Sequence, residues 1–205
     1  MKMLRLGLLP MLCLAFSSVL AGQYNEKLKI GDAAPIWKDL PGVDGKKHSL
    51  SDLKDTPVVV VVFTCSSCPT AVNYEARIQS LQLKYGDKLK VVAVGVNHES
   101  EDQLPAITAH AKEEKFAFQY IYDASQNLAK MYGAKYTPEF FVLNADRKIV
   151  YMGAMDDKND PKMVTKNHLD SAIKSVLAGE KLETTETQAR GCLIRFLRPK
   201  RTDDD

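Results

Sequence analysis

Sulfur is scarce in this chain, with 4 cysteines in 205 residues, and the scarcity excludes most of the sites that sulfur builds. Cys65 and Cys68 form the one C-x-x-C. Neither a second such pair nor a His pair at ligand spacing accompanies it, so the four-ligand sets of structural zinc have no candidate. His48, His98, His110 and His168 are scattered and read as surface or packing residues. No glycine-rich fingerprint is present to hold a nicotinamide or flavin, and neither cofactor nor metal is expected. An excess of one charge is lacking as well. The formal net charge of +2 makes no field of the kind that would bind nucleic acid or an anionic membrane. Repeats and long low-complexity linkers are absent too, so a chain that is 45% hydrophobic and 26% charged is expected to make one globular domain with a sizeable core.

The first residues carry the longest apolar run. Lys2 and Arg5 precede an apolar stretch from residue 6 to about residue 20, and Val19 and Ala21 supply small residues before a cleavage point. Residues 1–22 read as a secretory signal peptide, with an uncleaved anchor as the alternative; the run is short of the ~20 residues that a spanning helix needs. The expectation is an exported protein, periplasmic or extracellular, with no stable membrane span after cleavage. Cys13 leaves with the signal, and the bulky Leu12 before it does not suit lipoprotein processing. Cys65, Cys68 and Cys192 then remain in a compartment where disulfides persist. An odd number leaves one unpaired thiol or an alternating partner.

Residues 58–63 ("VVVVVF") are a continuous β-branched run, the pattern of a strand buried on both faces of a sheet. The helix predicted after it has one apolar stripe, Ala71, Tyr74, Ile78, Leu81 and Tyr85, and ends at Gly86. Residues 89–96 make a second buried strand. Leu104, Ile107 and Ala111 give a weaker helical face, followed by a short strand at 119–122. "DASQ", residues 123–126, has capping-box spacing and opens a helix that Gly133 closes. Residues 140–143 and 148–152 flank "NADR" as an antiparallel hairpin. Leu169, Ile173, Val176 and Leu177 form the face of a last helix ending at Gly179. The preceding "GDAAPIWKDLPGVDGKKHSLSDLKDTP" is a loop with one short hairpin that covers a sheet edge. Residues 23–185 are thus an α/β domain with a mixed sheet. Residues 186–205 are a C-terminal extension with a charged tail, expected to fray.

Two thiols between a strand and a helix could clasp a metal, staple a turn, or trade electrons. A helix N-terminus offers free N–H groups and partial positive charge, which favours a thiolate there. On that reading Cys65 attacks a substrate disulfide, and Cys68, one helical turn on, resolves the mixed disulfide. A permanent staple is the structural alternative, although so short a loop gains little chain-entropy stabilisation.

The pair at this junction, together with "YGAKYTPEFFVLNADRKIVYMG", resembles the thioredoxin superfamily, in which a Thr or Ile and a cis-proline face the cysteines; Thr137 and Pro138 match. The opening "GDAAPIW" and "SLSDLKDTPVVVVVF" are similar to the redoxin branch of peroxiredoxin-like and alkyl-hydroperoxide-reductase-related proteins. A closer subset shares "FTC..CP", the "YE.R" helix and the late "GC", here Gly191 and Cys192. The resemblance spans about residues 31–196. It implies a thioredoxin-like three-layer α/β/α sandwich with a cis-proline loop. It also implies a thiol-disulfide oxidoreductase in which Thr137 and Pro138 guide the substrate, a disulfide-containing protein or small-molecule thiol. A redox partner protein would carry the electrons.

The chain also departs from its relatives. Peroxiredoxins carry T-x-x-C and an arginine before the hairpin strand. Here Thr64 directly precedes Cys65 and Pro138 stands where that arginine is expected, while Arg77 and Arg147 read as solvated. Thiol peroxidase chemistry is therefore the runner-up. Thioredoxins carry W-C-G-P-C and a buried carboxylate six residues earlier, and Thr64 and Val59 occupy those places. Glu139, beside Pro138, reads as a solvated edge residue, with a carboxylate for the site as the alternative. Cys192 reads as an inert thiol, a resolving or accessory partner of the pair, or an intermolecular link. A redoxin fold kept as a binding module, with Cys65–Cys68 a fixed staple, is the non-enzyme alternative.

Overall fold

The structure is a computed structural model that describes residues 22–198. The expected signal segment up to residue 21 and the last seven residues lie outside the described residues.

β1 (Leu40–Pro41) and β2 (Lys47–His48) form the short hairpin of the opening loop. β3 (Val58–Thr64) is buried along its whole length, as its unbroken apolar run requires. α1 (Pro69–Tyr85) follows, then β4 (Leu89–Gly95), α2 (Leu104–Glu113) and β5 (Gln119–Tyr122). α3 (Asn127–Tyr132) leads to β6 (Tyr136–Thr137), β7 (Glu139–Leu143) and β8 (Ile149–Gly153), and then to α4 (His168–Ala178) and β9 (Cys192–Leu193). The central sheet runs β5-β4-β3-β7-β8; β3, β4 and β5 are parallel, and the β7-β8 hairpin is antiparallel.

Alternation along β3 sends its side chains into two separate cores. Val59, Val61 and Phe63 pack with Trp37, Tyr132 and Phe141, on the side that α3 and the opening loop cover. Val58, Val60 and Val62 pack with Tyr74 and Ile78 of α1, Ile107 of α2 and Leu169 and Ile173 of α4. The result is the expected α/β/α sandwich. Val43 N donates to Tyr120 O (3.0 Å), which lays the opening hairpin along β5 and closes that edge of the sheet.

Two expectations are corrected here. The helix after Asp123 starts later than the capping-box spacing implies. Asp123 accepts from Ser125 Oγ (2.6 Å) and Leu128 N (2.8 Å) across a turn, and Gln126 sits at φ +57° before the helix proper. Of the tail from Arg195 that is expected to fray, residues 195–197 are held, as is the segment before them. Thr187 N donates to Met152 O (3.1 Å) and Arg195 N to Asn97 Oδ1 (3.2 Å). Leu197 N donates to Gln126 Oε1 (2.8 Å), and Ile194 is buried in the first core. Buried polar partners supplied by distant loops hold a segment whose own composition is that of a solvated tail.

Candidate active site

β3 delivers the chain to the sheet end at Thr64, and Cys65 to Cys68 turn it into α1. Pro69 is suited to the first helical position, where its missing N–H leaves no bond unmade, and this makes Cys68 the N-cap. The expectation that Cys65 begins the helix is therefore corrected: it lies three residues before the cap, and both residues are buried. The Cys65 thiol is 3.3 Å from Thr137 Oγ1. Burial pushes its pKa up, and hydrogen bonds from Thr137, Ser67 and the Cys68 N–H do not offset this. Asp102 adds to the upward shift. The thiolate-favouring environment expected for Cys65 is thus absent in this form, because desolvation outweighs the donors.

Cys68 is bonded to Cys192, with 6.1 Å between the Cα atoms, and Cys65 is a free thiol. The exchange pair expected from the sequence is thus not the bonded pair of this form. Neither the inert-thiol nor the intermolecular reading of Cys192 describes it. Thr137 is buried and its peptide bond to Pro138 is cis. Its carbonyl oxygen lies 3.4 Å from the Cys68 sulfur, so Cys65, Cys68, Thr137 and Pro138 come together as expected. The outer edge of Thr137 is already paired: β6 takes β9 as an antiparallel neighbour, Thr137 opposite Cys192 and Tyr136 opposite Leu193.

The sequence reading missed Asp102. This carboxylate is fully buried and accepts from Ser66 N (2.6 Å), Ser67 N (2.9 Å) and Ser67 Oγ (2.6 Å), pinning the two residues between the cysteines. No local signal marks it, since Asp102 lies 35 residues or more from its partners.

Three solvated assignments are corrected as well. Glu139 is buried beneath the Thr137 turn, accepting from Lys135 N (2.7 Å) and Tyr136 N (3.0 Å), and burial raises its pKa. Arg77 is bound to the buried Asp156 (2.6 Å) and stacks over the Tyr74 ring. Arg147 donates to the carbonyls of Leu53, Thr56 and Asn144. Both guanidinium groups are committed away from Cys65. Arg195 is close enough to feel the Cys65 charge, but it is exposed and paired with Glu99.

A cavity of about 320 Å³ opens beside the disulfide, lined by Thr70, Asp157, Lys158, Arg190 and Cys192 among others. Among the described residues, no three His, Cys, Asp or Glu side chains converge as a metal site, and no helix is long and apolar enough to cross a membrane.

Residues 29–173 match the family Redoxin. No curated protein matches the chain. Among solved structures, an uncharacterised protein of Sinorhizobium meliloti 1021 is 32% identical with a TM-score of 0.79, covering 85% of this chain and 98% of that one. A conserved protein of Geobacillus kaustophilus is 28% identical with a TM-score of 0.79, covering 85% and 96%. A candidate thiol:disulfide interchange protein DsbE of Chlorobium tepidum is 26% identical with a TM-score of 0.61, covering 73% and 99%.

Proposed function

The chain belongs to the redoxin family and has its thioredoxin-like fold, and from that premise we propose that it is an exported thiol-disulfide oxidoreductase exchanging electrons through Cys65 and Cys68. The observation that carries this reading is the convergence of both sulfurs on one residue, Thr137, at 3.3 and 3.4 Å. Once Cys68 is free of Cys192, the Cys65 thiolate attacks a substrate disulfide and one substrate thiolate leaves. The Cys68 thiolate then attacks the Cys65 sulfur, expelling the second substrate thiolate and closing Cys65–Cys68. The substrate gains two electrons and the pair loses them.

Thr137 and Pro138 line the path by which a substrate peptide reaches the sulfurs. A disulfide-containing protein or small thiol compound is the substrate, and a dithiol redox partner restores the pair. A disulfide held in this form suits an oxidising compartment, which supports export alongside the signal-like residues 1–22.

Peroxide reduction needs donors aimed at the departing oxygen, and loss of one such donor costs ~10² to 10³ in rate. With Arg77 and Arg147 committed elsewhere, Cys65 is expected to react with disulfides far faster than with hydrogen peroxide. Both rates are measured on fully reduced protein, by following loss of the Cys65 and Cys68 thiols. Peroxide oxidation at the faster rate would replace this reading by a thiol peroxidase. Reaction with neither would leave a fold kept for binding.

A further inference from the structure

Gly191 and Cys192 lie where the exchange reaction needs a substrate. Cys192 is opposite Thr137 in the β6-β9 ladder, and Ile194 N donates to Lys135 O (2.9 Å), so the segment runs antiparallel along residues 135–137. That edge is the one a substrate peptide would use. The fit depends on glycine: a Cβ at Gly191 would run into the Thr137 carbonyl oxygen and come within 3.1 Å of Pro138 N. The backbone pairing is that of a docked substrate, and the bond differs in one respect: a substrate is joined to Cys65, whereas Cys192 is joined to Cys68.

From this arrangement we infer that Cys192 is a third redox residue, and that the Gly191-Cys192 strand is a built-in substrate that takes over the disulfide from Cys65–Cys68. The inference rests on the exchange reaction proposed above. After Cys65–Cys68 has formed, the Cys192 thiolate attacks the Cys68 sulfur. The Cys68–Cys192 bond forms and the Cys65–Cys68 bond breaks. Cys65 leaves as thiolate and takes up the proton that Cys192 has given up. No electrons are gained or lost in this step. An external dithiol then reduces Cys68–Cys192 and reopens the site.

Two features give the transfer its direction and its use. Cys65 ends as a buried thiol, and burial favours its neutral form, so its return as an attacking thiolate is disfavoured. Cys192 is only partly buried and borders the 320 Å³ cavity with Arg190 and Lys158, so the oxidised end of the relay faces solvent while Cys65 is sealed. The docked strand also fills the peptide edge of Thr137, so a second substrate enters only after the external dithiol has acted.

The test follows reduced full chain mixed with one equivalent of a disulfide-bonded peptide. The reaction is quenched with acid at intervals, alkylated, and mapped by mass spectrometry. Cys65–Cys68 is expected first, decaying as Cys68–Cys192 appears and Cys65 becomes alkylatable again. Cys192→Ser is expected to stop at Cys65–Cys68. Gly191→Val is expected to slow the second step by ~10²-fold, since a misplacement of about 1 Å has that effect on a positioned reaction. Persistence of Cys65–Cys68 in the wild type, with Cys192 still reduced, overturns the relay and leaves the exchange reaction standing. If no cysteine is oxidised, both fall. A Gly191→Val protein that closes Cys68–Cys192 at the wild-type rate overturns the docked-substrate argument.

Discussion

β3 and the segment from residue 185 to 197 are opposite solutions to being held in place. β3 is six apolar residues and Thr64, all buried and hydrogen-bonded to β4 and β7, so it holds itself wherever a sheet can form around it. The C-terminal segment has two strand residues, one buried isoleucine, and anchors that belong to other parts of the chain: Met152, Asn97, Gln126 and the Cys68 sulfur. The first depends on burial and ladder hydrogen bonds that no thiol touches. The second adds to its hydrogen bonds a covalent bond whose state a thiol can change. The difference places, beside a core that no thiol reaches, an edge fastened by a bond that a thiol can break.

The sharpest way to separate the two regions is to damage each. Phe63 of β3 meets Tyr132 and Phe141 edge-on, with ring centroids 5.3 and 5.8 Å away. Phe63→Ala should lower unfolding stability by about 3–5 kcal/mol, equally with and without reductant. Denaturant midpoints measure it, and a loss that depends on reductant would break the contrast.

Reduction of Cys68–Cys192 comes next. It opens a loop spanning a sequence separation of 124, and loss of a disulfide typically costs about 2–4 kcal/mol. Amide exchange should show the loss of protection concentrated at residues 192–197 while β3 keeps its own. Cys192→Ser should leave only the smaller effect of reductant on the short Cys65–Cys68 loop.

Asp102 sharpens the comparison at the point where the two regions meet. Asp102→Ala strands the donors of Ser66 and Ser67 and should cost about 1–3 kcal/mol. Burial is the main cause of the raised Cys65 pKa, and Asp102→Asn keeps an acceptor but removes the charge that adds to the rise. In the oxidised protein Cys65 should be alkylated slowly at neutral pH and faster as pH rises above the ordinary thiol range. Asp102→Asn should move that profile to lower pH, and an unmoved profile would mean that burial alone sets it.

The smallest effect is expected at Glu139. A carboxyl with its folded-state pKa raised contributes stability at pH below its unfolded value, and this contribution is lost as pH rises through the folded pKa. Glu139→Gln retains an acceptor for Lys135 N and Tyr136 N without a buried charge, so its stability relative to wild type should grow as pH rises out of the carboxylate range. Melting temperatures at acid and neutral pH test the sign.

Legibility followed the range of the interaction. The valine run of β3, the stripe of α1 and the closing glycines at 133 and 179 follow from periods of two to four residues, and the structure agrees there. The resemblance to the thioredoxin superfamily puts the Thr137-Pro138 turn opposite the cysteines, and the turn lies there, with Thr137 Oγ1 3.3 Å from the Cys65 sulfur. The buried place of Arg77 leaves no pattern at its own position because its partner Asp156 is distant in the chain, and Glu139 is buried by the fold of the turn it caps.

By itself the sequence determined the α/β order and the buried strand that leads into Cys65, because each rests on neighbours along the chain, while the place of the proline turn came from the resemblance to a family. Only the tertiary structure decided that Cys68 bonds to Cys192, that Asp102 grips the loop between the cysteines, and that residues 191–193 occupy the edge of Thr137. These contacts join segments 35 or more residues apart, and burial there reverses the charge preference that the helix end alone would give Cys65.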